Sequence, residues 1–225
     1  MTDLEALKRE AARRAVAEIE DGMTVGLGTG STATHAVDLL GERVRDEGLR
    51  VLGVPTSERT AAQARALHIP LSTLEETPRL DLAFDGADEI QRGSLDLIKG
   101  AGGALLREKL VEVSADRLLI IADHTKLVDQ LGERFAVPVE VVRFGWKATA
   151  ARLAALGCQP ALRLRDGQPW LTDEQHYLLD CRFDPIADPR ALADRLKGLC
   201  GVVEHGLFIQ MAQRAFVASP DGVQT

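Results

Sequence analysis

The feature that most constrains this chain is a series of short apolar runs, each opening into a glycine- or aspartate-bearing turn, with amphipathic stretches between them. "MTVGLG", "GLRVLGVPTS", "RLDLAF" and "RLLIIADHTKLV" are rich in Leu, Ile and Val and read as short buried strands. Between them lie segments with helical spacing. Leu4, Leu7, Ala11, Ala15 and Ile19 fall on one face of the segment that begins "MTDLEALKRE", and Ala36, Val37, Leu40 and Val44 recur after the first glycine loop. A further helix is expected over residues 57–67 and a weak strand near "IPLSTL". Strands buried on both faces and alternating with helices predict a doubly wound, mostly parallel sheet, an α/β fold.

From about Gly132 the order changes. "FAVPVEVVRF", the helical "GWKATAARLAALG", "PALRLRDGQPWLTDEQHYLLDCRF" with its DG turn, and the helical "DPRALADRLKG" follow as β-α-β-β-α. The late "GVVEHGLF" and "AFVAS" complete this split unit or return to the main sheet. The expected division is a main α/β domain of residues 1–131 and 205–225, with a smaller α+β domain of residues 132–204.

Composition removes several classes of function. A net charge of −7 and 4 % aromatic residues give neither a basic stripe nor stacking platforms, so no nucleic-acid partner is expected. No run approaches the ~18 apolar residues of a membrane span, so no membrane partner is expected and the reading is cytoplasmic. Cys158, Cys181 and Cys200 are odd in number and far apart, which suggests neither a disulfide framework nor a zinc site.

Residues 25–32, "VGLGTGST", fail as a dinucleotide loop because Ser31 stands where the third glycine belongs. They fail as a triphosphate loop for want of a GK[ST] lysine. What remains is a strand-to-helix turn, Gly28 to Thr32, suited to a small anion or polyol at a helix N-terminus, or a plain N-cap with turn glycines. "DLAFDGADEI" places Asp85, Asp88 and Glu89 just beyond a buried strand, where ligands of open α/β sheets collect, or else in a solvated turn that Asp85 caps and Gly86 bends. No HxH or HxxxH pair supports a metal beside them. In "LIKGAGGALLREKL", Lys99 and Glu108 flank a glycine turn; such a pair can take a proton from carbon and stabilise the oxyanion that forms, or be a surface lysine and a helix-start glutamate that favours the dipole. Lys126, after the strand "LLIIAD", is placed to meet a phosphate as a point charge, or to stay in solvent.

Taken in order, "GLGTGST", "DGADE", "KGAGGALLREK", "ADHTK" and "GVVEHGLF" resemble the motif series of type A ribose-5-phosphate isomerases, from Gly26 to Phe208. The resemblance implies interconversion of D-ribose 5-phosphate and D-ribulose 5-phosphate through an enediolate, in the non-oxidative pentose phosphate pathway, without cofactor or metal. It implies a Rossmann-like main domain, a ferredoxin-like smaller one, and a homodimer or homotetramer. By the same resemblance Thr29, Gly30, Ser31 and Thr32, then Asp85, Gly86, Ala87 and Asp88, then Lys99, Gly100, Ala101 and Gly102, and Lys126 bind the sugar phosphate. Glu108 is the proton acceptor, with Lys99 opposite it and Asp85 also catalytic. Ala101 departs from the more usual KGGG, a methyl expected to tighten the loop slightly. Two rivals are a nicotinamide-dependent oxidoreductase, disfavoured by the broken fingerprint, and a sugar-phosphate sensor, which would not need Lys99 and Glu108.

Overall fold

The computed structural model of the protein describes residues 3–225; Met1 and Thr2, which open the first helical segment of the sequence, lie outside the described residues. The chain runs α1 (Leu4–Val16), β1 (Thr24–Leu27), α2 (Ser31–Asp46), β2 (Leu52–Pro55), α3 (Glu58–Ala66), β3 (Leu82–Asp85), β4 (Glu89–Gln91), β5 (Leu97–Ile98), α4 (Leu105–Val113) and β6 (Leu118–Asp123). After a 3₁₀ turn at His124–Lys126 come β7 (Leu127–Val128), β8 (Val137–Val141), α5 (Trp146–Ala154), β9 (Gln159–Leu162), β10 (Leu164–Arg165), β11 (Gln168–Pro169) and β12 (Tyr177–Arg182). The last elements are α6 (Pro189–Lys197), β13 (Val202–His205), β14 (Leu207–Phe208), β15 (Arg214–Ser219) and β16 (Gly222–Gln224).

Two compact units result. The first holds residues up to Ala87, Arg107–Lys126 and Met211–Thr225; the second holds Asp88–Leu106 and Leu127–Gln210. These bounds differ from 1–131 with 205–225 and 132–204. The reason is that β4 and β5 pair with β7 and β14 in a small sheet of the second unit, order β14-β5-β4-β7.

In the first unit the sheet order is β16-β15-β6-β3-β1-β2, with β15 parallel to β6 and only the β16 edge antiparallel. Counting the parallel strands along the chain gives 2-1-3-4-5, the flavodoxin-like order whose switch point lies between β1 and β3. Alternation along β1 shows why both faces are covered. Val25 and Leu27 join a cluster with Ala11 and Ala15 of α1 and Ala36 and Leu40 of α2. Gly26 between them faces Val111 of α4, where a Cβ would stand 2.7 Å from the valine methyl. Helix α1 begins at the cap of Asp3, which accepts from the amides of Glu5 and Ala6, and it ends at Val16, sooner than the apolar spacing through Ile19 suggests. Arg43 takes over there, donating to the carbonyls of Val16 and Ile19 at 2.8 Å each. "IPLSTL" forms no strand; Leu71 makes one isolated parallel bridge to Gly53.

In the second unit the antiparallel sheet β13-β8-β12-β9 and its two helices have the β-α-β-β-α-β sequence of a ferredoxin-like fold. Val137, Val139 and Val141 of β8 and Leu179 and Cys181 of β12 bury one face against Leu153 of α5 and Leu192 and Leu196 of α6. Helix α6 starts as its sequence dictates, with Asp188 as cap and Pro189 in the first turn. The DG turn joins β10 to β11 with Asp166 and Gly167 both left-handed, as a tight hairpin requires. "GVVEHGLF" completes this unit through β13 and β14, and "AFVAS" returns to the main sheet as β15. Among the described residues no helix is long and apolar enough to cross a membrane.

Candidate active site

Three of the singled-out loops leave the carboxyl ends of three neighbouring parallel strands: "TGST" follows β1, "DGA" ends β3 and "HTK" follows β6. At the β1/β3 switch point, Asp85 is fully buried, and its Oδ1 accepts from the amides of Thr29 at 3.0 Å and Gly86 at 2.7 Å. Gly28 is what permits this: a Cβ there would collide with the Asp85 carboxylate and the carbonyl of Phe84. Gly30 takes φ 127 and occupies the cap position of α2, where among the described residues there is no side-chain cap bond. A sixteen-residue helix thus starts with Ser31 and Thr32 and with its positive end undressed, the arrangement that suits an anion.

The hydroxyl of Thr29 has a different task. It lies 2.7 Å from Thr56, 2.8 Å from Ser57 and 3.0 Å from Thr60, all four residues being buried. Thr60 also donates to the carbonyl of Gly28 at 3.0 Å, and Thr56 to that of Leu27 at 3.1 Å. The turn after β2 therefore holds the turn after β1. In the sequence, "PTSERT" reads only as a strand end and a helix start, and nothing in it announces this cluster.

Glu108 stands in the first turn of α4 and is 2 % exposed, and Lys126 closes the 3₁₀ turn after β6. Asp123 shapes that turn, accepting from the amide of Thr125 at 3.0 Å and from its hydroxyl.

The second unit carries Asp88, Lys99 and the glycine loop. Lys99 is 2 % exposed, its amide donates to the carbonyl of Gly206 at 2.9 Å, and its Nζ lies 5.3 Å from the centre of the Phe208 ring. The carboxylate of Asp88 accepts from the amide of Ala101 at 2.9 Å, which ties the DGAD and KGAG segments to each other. Ala101 itself is exposed, so its extra methyl has room. Glu89, the third acid of "DGADEI", is fully buried and accepts from the amides of Gly132, Arg134 and Phe135 at 2.6 to 2.7 Å. It organises a loop of its own unit.

An open 2-1-3-4-5 sheet with an uncapped helix start, a buried aspartate and a lysine at its carboxyl edge defines an α/β protein whose strand ends have the chemistry that suits a small anion. The comparisons with known proteins make this specific. Residues 52–222 match the family of ribose 5-phosphate isomerase A (phosphoriboisomerase A). A ribose-5-phosphate isomerase A of Synechococcus sp. (strain JA-3-3Ab) is 65 % identical over 100 % of this chain and 98 % of its own. The structure of ribose 5-phosphate isomerase A from Methanocaldococcus jannaschii superposes with a TM-score of 0.94 at 39 % identity, covering 98 % of this chain and 97 % of that one. A D-ribose-5-phosphate isomerase in complex with phospho-erythronic acid superposes with a TM-score of 0.96 at 36 % identity, covering 99 % and 98 %. The chain belongs to the ribose 5-phosphate isomerase A family.

Proposed function

We propose that this chain is an aldose–ketose isomerase that interconverts D-ribose 5-phosphate and D-ribulose 5-phosphate through an enediolate, as a cytoplasmic homodimer or homotetramer serving the non-oxidative pentose phosphate pathway. The observation that carries the reading is the placement of "TGST", "DGA" and "HTK" at the carboxyl ends of three adjacent parallel strands, in a chain whose family is that of ribose 5-phosphate isomerase A.

In this reading Glu108 removes the C2 proton of the open-chain aldose and the electron pair moves to the C1 oxygen. Lys99 stabilises that oxyanion, a contribution of about 3 kcal/mol for one well-placed donor. The same carboxyl returns the proton to C1 while a proton passes from O2 to O1, leaving the carbonyl at C2. Asp85 opens the furanose ring and assists the transfer between the oxygens, and Asp88 orients hydroxyls. The amides of Gly30, Ser31 and Thr32 and the ammonium of Lys126 bind the remote part of the substrate. Binding energy gathered there fixes the geometry of C1 and C2. Gly86, Ala87, Gly100, Ala101 and Gly102 supply backbone around the sugar, and neither cofactor nor metal is required.

The direct test follows ketose formation from ribose 5-phosphate by the purified protein. Steady production of ribulose 5-phosphate without nicotinamide is expected. Binding of the sugar phosphate without turnover would show a sensor instead, and turnover only with a nicotinamide would show an oxidoreductase.

A further inference from the structure

Arg163 lies between β9 and β10, far along the chain from the glycine loop, yet its side chain ends on that loop. Its Nη1 donates to the carbonyl of Gly100 at 2.8 Å and to that of Ala101 at 3.2 Å. The other edge of the guanidinium is held by Asp180 of β12, with Nε donating to Oδ2 at 2.9 Å and Nη2 to Oδ1. The arginine is 12 % exposed and Asp180 32 %, so the guanidinium is mostly out of solvent and its plane is fixed by a two-pronged bond to a partly exposed carboxylate. Residues 100–103 form a turn closed by the amide of Gly103 on the carbonyl of Gly100 at 3.1 Å. Trp170 seals its far end, so close that a Cβ on Gly103 would stand 2.7 Å from the indole. The Trp170 ring lies 5.4 Å from the Arg163 guanidinium and 3.9 Å from that of Arg165.

The two carbonyls decide what the loop can offer. In a trans peptide the C=O and N–H point in opposite directions. The Gly100–Ala101 peptide is gripped at both ends, its carbonyl by Arg163 and its amide by Asp88. The next peptide has its carbonyl on Arg163 as well, so the amide of Gly102 is aimed away from the guanidinium, on an exposed residue. Three glycines leave such a turn many backbone states, and Gly100 and Gly103 occupy left-handed ones. Selecting one state requires ties from outside the loop.

We infer that Arg163, locked by Asp180, is a positioning residue that fixes the Gly100–Ala101 and Ala101–Gly102 peptides so that the Gly102 amide is presented to the sugar phosphate. The inference rests on the reading above for the identity of the ligand. A lysine could not replace it, because an ammonium cannot bind the carboxylate with two parallel donors and still reach both carbonyls.

Arg163→Met keeps the apolar stem and removes the fork. With ribose 5-phosphate as substrate, kcat is expected to fall about 10- to 100-fold, the loss typical of a small misplacement remote from the reacting atoms. KM should move much less, since the TGST loop and Lys126 are untouched. In parallel, hydrogen exchange at Ala101 and Gly103, whose amides are bonded to Asp88 and to the Gly100 carbonyl, should quicken at least tenfold while the amides of β8 and β12 keep their protection. Asp180→Asn, which weakens the fork without removing bulk, should shift both readouts the same way by less, and it serves if Arg163→Met fails to fold. Unchanged kcat in a folded variant, or exchange that quickens evenly through the whole unit, overturns the inference. A wild-type protein that does not isomerise the sugar phosphate overturns the functional reading instead; loop-selective exchange then still decides whether Arg163 fixes the loop.

Discussion

The backbone amide of Thr29 donates to Oδ1 of Asp85 at 3.0 Å, joining the turns that follow two neighbouring strands, β1 and β3. Because an asparagine oxygen can accept the same bond, Asp85→Asn should leave folding intact and remove only the charge and the proton-transfer capacity. Isomerase turnover is expected to fall about 100-fold or more, within the range of acid–base groups. Turnover within a few-fold of wild type would remove Asp85 from the chemistry.

Thr29→Val preserves shape and deletes the hydroxyl shared with Thr56, Ser57 and Thr60. Three buried hydroxyls lose a partner, so urea denaturation should show a destabilisation of about 1–3 kcal/mol. Thr29→Ser, which keeps the oxygen, should lose less. Equal stability of Thr29→Val and wild type would mean that the cluster does not hold the loop.

Glu140 of β8 is 1 % exposed, and burial pushes its carboxyl above the usual glutamate range, against the pull of hydrogen bonds from His176 and Thr172 at 3.0 and 2.9 Å. An acid whose folded pKa is raised keeps its proton longer in the folded state, so its contribution to stability is complete below the unfolded pKa and is lost as pH rises towards the folded one. Glu140→Gln retains both acceptor contacts and abolishes the titration. Its stability relative to wild type, read from denaturant midpoints, should increase as pH is raised from 4 to 8. A constant difference across that range would contradict this.

The proposed enediolate route uses only side chains and backbone amides. Exhaustive dialysis against a chelator is therefore expected to leave the isomerisation rate unchanged. Loss of rate restored only by a divalent ion would contradict it.

What the sequence revealed and what it hid divide along physical lines. The strands of the main sheet are legible because burial on both faces makes them continuous apolar runs, and Ser57 announces α3 by capping the amide of Thr60 at 3.1 Å. The small sheet of β4, β5, β7 and β14 is not legible, since strands of two or three residues carry no periodicity; the unit boundary moved with it. Glu89 looks from sequence like a third functional acid because proximity to Asp85 and Asp88 is visible, whereas its amide partners lie more than 40 residues away. Arg163 leaves no trace at all, as its partners Gly100 and Asp180 are set by tertiary pairing and not by spacing.

In the proposed mechanism Glu108 carries the proton between C1 and C2. Glu108→Gln keeps the size and polarity of this buried side chain while removing its basicity. Turnover of ribose 5-phosphate by this variant, measured alongside binding of a non-reacting sugar-phosphate analogue, tests that role. Near-normal binding is expected with turnover reduced by about 100-fold or more; turnover close to wild type would remove Glu108 from the proton transfer.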